Sequence, residues 1–136
     1  MAEHPNVVLA RRGFEAFAAG DRATIESLLH EDAVWHIPGR SGLAGEYRGR
    51  DVILAMLRET ALRSGGTYRV QLRYAVADDR HVVAVYRATG QRDGRSIDID
   101  QALIVALDDG RWVEIRAVPT DQYAFDEFWG QRQLEA

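Results

Sequence analysis

The stretch SIDIDQALIVALDDGRWVEIRAVP, residues 96–119, decides the fold class of this protein. Apolar residues dominate residues 96–107 and 111–118, and the triplet Asp108-Asp109-Gly110 between them is typical of a tight hairpin turn. Pro119 ends the second segment, because proline cannot donate a hydrogen bond to a neighbouring strand. The stretch therefore predicts two long antiparallel strands.

Two further strands are predicted upstream of this hairpin. Apolar and polar side chains alternate over residues 70–76, which is the pattern of a strand with one buried face. Another strand is predicted over residues 80–89, and the segment 90–94, which is bounded by glycines, supplies the turn that follows it. The second half of the chain thus predicts a meander of four long strands.

The first half of the chain has a helical pattern. Apolar residues recur at helical spacing over residues 7–20, and Asp21 is placed to cap a second, short helix. A short strand is predicted at 33–37, a long loop at 39–49, and a third helix from Arg50. Helices followed by an antiparallel meander are typical of the α+β class, with the helices on one face of the sheet.

Composition limits the classes of function. The 136 residues carry a net charge of −4, and the basic residues are arginines scattered along the chain, so we do not expect a nucleic-acid partner. The absence of cysteine excludes disulfides, thiolate metal ligands and thiol nucleophiles. The chain shows no leader pattern and no apolar run near the ~20 residues of a membrane span. We therefore expect residues 1–136 to form one cytoplasmic domain with no membrane partner.

A family resemblance covers residues 7–129 and rests on four motifs: Ala19-Gly20-Asp21, the run LHEDAVWHIPG at 29–39, Tyr47-Arg48-Gly49-Arg50-Asp51, and Asp109-Gly110-Arg111-Trp112-Val113-Glu114. These motifs resemble the NTF2-like superfamily and, within it, the SnoaL-like and ketosteroid-isomerase-like proteins. The resemblance implies a cone in which three N-terminal helices pack in a curved mixed/antiparallel β-sheet, with an apolar pocket open at one end. It also implies a homodimer formed through the sheet.

Function on this fold must be argued from residues, because the fold hosts several enzyme classes and domains without any chemistry. Ketosteroid isomerases use an Asp base, with a Tyr and a protonated Asp that bind the oxyanion. The resemblance places these three roles at Ile37, Gly13 and Leu103. None of the three residues can donate or accept a proton, so steroid isomerase activity is not expected.

The resemblance also assigns an inward face to each long strand. The inward residues are Gln101, Leu103, Val105 and Leu107, with Ala84, Tyr86 and Ala88 on the preceding strand and Val113, Ile115 and Ala117 on the last one. Asp98 and Asp100 then point outward with Glu114 and Arg116, where cross-strand ion pairs are expected. A β-bulge would reverse this assignment and turn Asp100 into the pocket as a general base.

Tyr86 and Gln101 are the polar residues expected inside the cone. Either they orient a ligand carbonyl or hydroxyl and donate to a developing oxyanion, or they form a buried pair with each other. His36 or Asp100 is the candidate proton carrier, and the alternatives are a bonded histidine at a loop edge and a solvated carboxylate. Tyr47 belongs to the loop at the expected pocket mouth.

The candidate residues form two sets. The predicted catalytic residues are His36, Asp100, Tyr86 and Gln101, and the predicted ligand-binding residues are Trp35, Tyr47, Tyr86, Gln101, Leu103 and Ile115. Thr120 or Asp121 caps a last helical turn whose aromatic residues, Tyr123, Phe125, Phe128 and Trp129, either close the pocket or pack against a partner. The histidines show no metal-ligand spacing, so we expect neither a metal nor a cofactor.

Two classes of function stay open at this point. The resemblance implies a cofactor-independent isomerase, cyclase or hydrolase that acts on a small apolar molecule, polyketide- or terpenoid-like. The alternative is a non-catalytic ligand-binding or dimeric interaction domain of the same fold.

Overall fold

The computed structural model describes residues 3–130, and within them the chain forms four helices and six strands. In chain order these are α1 (Pro5–Ala19), α2 (Arg22–Leu28), β1 (Leu29–Ile37), β2 (Gly45–Arg48), α3 (Arg50–Arg63), β3 (Arg69–Ala77), β4 (His81–Arg92), β5 (Arg95–Asp108), β6 (Arg111–Pro119) and α4 (Gln122–Trp129). The predicted order of helices, short strand and four-stranded meander is confirmed. The predicted loop 39–49 is wrong in part, because β2 lies inside it and pairs with β1.

All six strands form one sheet in the order β2-β1-β6-β5-β4-β3. The β3–β4, β4–β5, β5–β6 and β1–β2 pairs are antiparallel, whereas β1 runs parallel to β6, so the sheet is mixed. The helices pack on the inner face of this sheet, where the buried apolar residues form one cluster. The α+β class is therefore confirmed. None of the helices within residues 3–130 is long and apolar enough to cross a membrane.

The helix ends follow from local chemistry. Gly20 has a φ of 68° at the end of α1, a left-handed conformation that costs glycine little. The side chain of Asp21 accepts a hydrogen bond from the backbone N–H of Thr24, which confirms the predicted cap of α2. Of the two candidates for α4, Thr120 and Asp121, the cap is Asp121, whose side chain accepts a hydrogen bond from Ala124. The Asp109-Gly110 turn has positive φ at both residues, as a two-residue hairpin of type I′ requires.

Two β-bulges interrupt the predicted alternation. The β3–β4 register shifts between Leu72 and Tyr74, so Tyr74 and Val76 are exposed although Leu72 faces the core. The β5–β6 register shifts opposite Val113, and Trp112 is buried in its place. The prediction of an inward Val113 is therefore wrong, because a bulge moves every side chain before it to the other face.

The inward residues predicted for β4 and β5 are confirmed. Ala84, Tyr86, Ala88, Gln101, Leu103, Val105 and Leu107 are all buried. Their neighbours face outward, and four large apolar side chains are exposed on the outer face of the sheet: Tyr74, Val76, Ile104 and Val118. This is the face through which the homodimer is expected, and dimerisation stays a prediction.

Candidate functional site

A cavity of about 100 Å³ lies between the helices and the inner face of the sheet. Every helix and all the long strands contribute to its lining, which is mainly apolar. All three tryptophans of the chain border it, as do Phe14 and Phe125. The helix α4 covers part of the cavity, because Phe125 and Trp129 line it and Phe128 packs beside Trp129 in the core. Tyr123 of the same helix is 90% exposed.

Tyr86 and Gln101 form the polar feature predicted for the inner face. They occupy paired positions on β4 and β5, and the Tyr86 hydroxyl donates a hydrogen bond to Gln101 Oε1 over 2.9 Å. Both residues line the cavity, and Gln101 is 1% exposed. Within residues 3–130, Gln101 Nε2 has no hydrogen-bond partner. The pair therefore uses the acceptor of the buried amide and leaves its donor group unpaired.

Two further residues of the lining carry a buried donor that the described part of the chain does not pair. The indole nitrogens of Trp112 and Trp129 are buried and lack a hydrogen-bond partner among residues 3–130. Both side chains line the cavity together with Gln101. Because buried polar groups in folded proteins normally have partners, three unpaired donors around one cavity indicate a site with an excess of donor groups.

Tyr68 is a site residue that the sequence prediction missed. It precedes β3, lines the cavity, and its ring packs edge-on against Trp129 with centroids 5.1 Å apart. The signal was present, because Tyr68, Val70 and Leu72 share the inward parity of β3 before the bulge, and Val70 and Leu72 also pack against the core. The predicted strand does not extend to Tyr68, so it omits this one inward position.

Burial determines the protonation of the two cavity tyrosines. It raises the pKa of Tyr68 well above the usual value, and a contact with the Gln101 side chain offsets only part of this rise. Burial also raises the pKa of Tyr86, and the neighbouring Tyr68 adds to the effect. Both phenols therefore stay protonated at neutral pH, so they can donate hydrogen bonds but cannot act as bases.

The three positions that ketosteroid isomerases use for catalysis do border the cavity. Gly13, Ile37 and Leu103 all belong to its lining. A Cβ atom on Gly13 would lie 3.1 Å from the ring of Trp112, so the glycine allows the close packing of α1 against β6. The three positions that the resemblance indicates therefore border the cavity, and none of their side chains can donate or accept a proton.

His36 lies on the outer face of the sheet, away from the cavity. Its neighbour Trp35 lines the cavity, and successive residues of a strand point to opposite faces. His36 Nδ1 lies 3.2 Å from a Glu46 carboxylate oxygen, and Nε2 lies 3.5 Å from one of Glu114. A role for His36 as the proton carrier of the cavity is not compatible with this position.

Asp100 is also on the outer face. The β4–β5 register runs without a shift from His81 opposite Ala106 to Arg92 opposite Arg95, so no bulge turns Asp100 inward. Arg73 donates a hydrogen bond to Asp100 over 2.7 Å. The outward orientation is thereby confirmed, and the conditional role of Asp100 as a general base of the cavity is not supported.

The predicted ligand-binding residues divide between cavity, core and edge. Trp35 and Leu103 line the cavity, and their contact with a ligand stays a prediction. Ile115 is fully buried in the core and is not part of the lining. Tyr47 lies on β2 rather than in a loop, and its hydroxyl donates to the backbone carbonyl of Leu43 over 2.7 Å. Tyr47 therefore does not border the cavity either.

No metal centre is formed by the described residues: within residues 3–130, no group of three or more histidine, aspartate or glutamate side chains is arranged to hold a metal ion.

Comparison with known proteins identifies relatives over nearly the whole chain. The family model of the SnoaL-like domain matches residues 10–115. An uncharacterised protein of Mycobacterium tuberculosis (strain H37Rv) is 35% identical over 130 residues, which are 95% of this chain and 99% of the relative. The solved structure of Bal32a, from a soil-derived mobile gene cassette, is 35% identical and superposes with a TM-score of 0.90 over 93% of this chain and 97% of that chain.

More distant solved structures share the fold. An NTF2-like protein of unknown function from Burkholderia pseudomallei is 20% identical, with a TM-score of 0.83 over 93% of this chain and 98% of that chain. A putative SnoaL-like polyketide cyclase from Jannaschia sp. CCS1 is 17% identical, with a TM-score of 0.79 over 95% and 96% of the two chains. At these identities the likeness establishes an NTF2-like fold for this chain.

Proposed function

The chain belongs to the family of SnoaL-like domains, and we propose that it binds a small, mainly apolar molecule in the cavity between its helices and its sheet. The lining of the cavity carries this proposal: aromatic and aliphatic side chains surround a few polar groups that come together on β4, β5 and the residue before β3. An apolar wall with few convergent polar groups is the usual construction of a small-molecule site.

Binding is favoured over acid–base catalysis by the chemistry of the lining. The residues among 3–130 that line the cavity include no carboxylate and no imidazole, and the two phenols among them stay protonated. His36 and Asp100 lie on the other side of the sheet. The described lining therefore offers hydrogen-bond donors to a ligand and no group that would exchange a proton with it near neutral pH.

An enzymatic function is the second candidate, and the donors around Gln101 favour it. Donors aimed at a developing oxyanion can accelerate isomerisation, cyclisation or hydrolysis without a cofactor. The description of the Jannaschia neighbour as a putative polyketide cyclase suggests a polyketide-like substrate, and a terpenoid-like one fits the same apolar wall. Mass spectrometry of a ligand recovered after incubation tests this candidate, because an unchanged ligand shows binding without turnover.

Titration with ethylbenzene tests the binding proposal. Trp35, Trp112 and Trp129 all border the cavity, so a ligand bound there changes tryptophan fluorescence. We expect a saturable change in the wild-type protein and an affinity at least ~10-fold lower in Ala117→Leu, which extends a side chain into the cavity. Val118→Leu places the same leucine side chain on the outer face, where residue 118 is 42% exposed, and should bind like the wild type.

Two results would contradict the proposal. One is the lack of any saturable change with the wild-type protein, provided that the three tryptophans respond to unfolding. The other is an equal loss of affinity in Ala117→Leu and Val118→Leu, since the second substitution lies on the opposite face of β6.

A further inference from the structure

We propose that the cavity selects uncharged ligands that carry a hydrogen-bond acceptor, such as a ketone, ester or ether oxygen, and that Gln101 Nε2 donates the hydrogen bond that recognises this acceptor. This inference rests on the binding function proposed above and names the chemistry of its ligand. Gln101 is assigned as the specificity-determining residue and Tyr86 as the residue that positions it.

The donor assignment follows from the hydrogen bonds of the buried amide. A primary amide offers one carbonyl oxygen and two N–H groups. The Tyr86 hydroxyl donates to Oε1 over 2.9 Å, and this bond fixes the orientation of the amide. Within residues 3–130 no hydrogen bond of normal length and angle pairs the nitrogen, although Gln101 is 1% exposed and the Tyr68 side chain, whose pKa the Gln101 side chain lowers, lies beside it. A ligand oxygen placed beside Nε2 would satisfy a group that the fold itself leaves unsatisfied.

The other polar atoms of the cavity also favour an acceptor on the ligand. The buried indole N–H groups of Trp112 and Trp129 are donors only, and both lack a partner in the described part of the chain. Thr60, which also lines the cavity, already donates its hydroxyl hydrogen to the backbone carbonyl of Leu57 over 2.6 Å. The cavity therefore presents unpaired donors, and a ligand that brings only donors would leave them unpaired.

The preference for an uncharged ligand follows from the absence of charge in the lining. Among residues 3–130, none that lines the cavity is an arginine, lysine, histidine, aspartate or glutamate. Arg73 on β3 and Arg87 on β4 lie on the outer face and are already paired with Asp100 and Asp98. A carboxylate in the cavity would lose its hydration without gaining a cationic partner, which is costly in an apolar environment.

The pKa values of the two tyrosines that line the cavity also indicate that the cavity disfavours a negative charge. Burial raises the pKa values of Tyr68 and Tyr86, which means that the environment disfavours a negative charge on either oxygen. A ligand anion at the same place would meet the same penalty. The site is thus suited to polarise or orient a neutral oxygen, and unsuited to hold a carboxylate or phosphate.

Three probes of nearly equal shape test the inference on the full chain: acetophenone, α-methylstyrene and benzoate. The alkene lacks the acceptor oxygen, and benzoate carries a charge in its place. One aromatic ring suits a cavity of this size. By isothermal titration calorimetry we expect acetophenone to bind about 2- to 12-fold more tightly than α-methylstyrene, the value of one net hydrogen bond, and benzoate to show no binding at concentrations that saturate the ketone.

Substitutions then identify the donor. In Gln101→Leu the affinity ratio of ketone to alkene should fall to about 1 while the alkene still binds, because only the donor is lost. In Tyr86→Phe the ratio should fall in part, since the amide loses the bond that orients it. Asp98→Asn, on the outer face of the same strand, should leave the ratio unchanged. If Gln101→Leu unfolds, Gln101→Met, which has a similar length, takes its place.

The outcomes separate this inference from the binding function on which it rests. If none of the probes binds the wild-type protein, both are overturned. If ketone and alkene bind equally, if benzoate binds as tightly as the ketone, or if the ratio survives in both Gln101 variants, the selection by Gln101 is wrong and apolar binding stands.

Discussion

Two polar pairs on β4 and β5 face opposite sides of the sheet and differ in burial, in charge and in how completely their hydrogen-bonding groups are paired. Tyr86 and Gln101 meet on the inner face, where both are buried and uncharged. One residue further along β4, Arg87 points outward and donates two hydrogen bonds to Asp98 over 2.8 and 2.6 Å. The outer pair is charged and exposed, and its two side chains bond to each other, whereas the inner pair leaves the amide nitrogen of Gln101 without a partner among residues 3–130.

This difference shows why the buried pair, and not the charged one, indicates the site. Exposed ion pairs exchange hydration for a contact of similar strength and so contribute little to stability or recognition. A buried donor without a partner is costly to the folded chain and can be satisfied by a ligand. The carboxylates of Asp98 and Asp100 therefore belong to exposed ion pairs, whereas the neutral amide of Gln101 lies at the cavity.

The largest expected difference between the two faces concerns packing. Leu103 and Ile104 are adjacent on β5, but Leu103 is buried against the cavity and Ile104 is exposed. We expect Leu103→Ala to lower the free energy of unfolding by about 2–5 kcal/mol. Ile104→Ala should lower it by less than about 1 kcal/mol. Urea denaturation measures both, and equal losses would show that the two faces do not differ as the structure indicates.

A smaller effect is expected from the inner polar pair. Tyr86→Phe leaves Gln101 Oε1 buried without a donor, so the free energy of unfolding should fall by about 1–3 kcal/mol. The double variant Tyr86→Phe/Gln101→Leu removes both polar partners and should recover part of this loss. A double-mutant cycle by urea denaturation measures the coupling. Strict additivity of the two substitutions would argue against the hydrogen bond.

The smallest effect is expected on the outer face and depends on pH. The hydrogen bonds from Arg87 lower the pKa of Asp98 below its usual value. A carboxylate with a lowered pKa stabilises the fold above the pKa of the unfolded chain, about 3.9, and this contribution is lost as the pH falls through the folded value. Calorimetry should therefore show a slightly lower Tm for Asp98→Asn at pH 7 and no difference in strong acid.

A matched substitution controls this last comparison. Asp108 lies on the same strand and is exposed, and the described residues offer it no ion pair. Asp108→Asn should not reproduce the pH-dependent difference. A Tm difference for Asp98→Asn that persists at low pH would mean that the carboxylate charge is not its cause.

Much of the fold was predictable because its signals are local. Alternation of apolar residues located β4, β5 and β6, and the aspartates at 21 and 121 marked the helix starts. The strand β2 was not predicted, because its four residues follow a segment rich in glycine and have no alternation of their own. The short edge strand forms because β1 provides its hydrogen-bonding partner. Pairing of this kind depends on tertiary context and leaves no pattern in the four residues themselves.

The site was predictable in part, and its failures have physical causes. Tyr86, Gln101 and Leu103 were found because the β4–β5 register has no shift. The inward position of Trp112 was missed because a bulge at Val113 reverses the parity, and bulges leave little trace in composition. His36 was proposed as the proton carrier because of its chemistry alone. Its neighbour Trp35 points to the inner face of the sheet and lines the cavity, so His36 points to the outer face.

The sequence by itself determined where the long strands lie, where most elements begin and end, and which face most β4 and β5 side chains occupy, since these depend on backbone geometry over a few residues. Only the tertiary structure decided that Tyr68, which precedes β3, Trp112 from β6 and Trp129 from α4 surround one cavity with Gln101. It also decided that the Gln101 amide keeps a donor that no residue among 3–130 pairs. Both features depend on contacts between segments far apart in the chain, which no local pattern encodes.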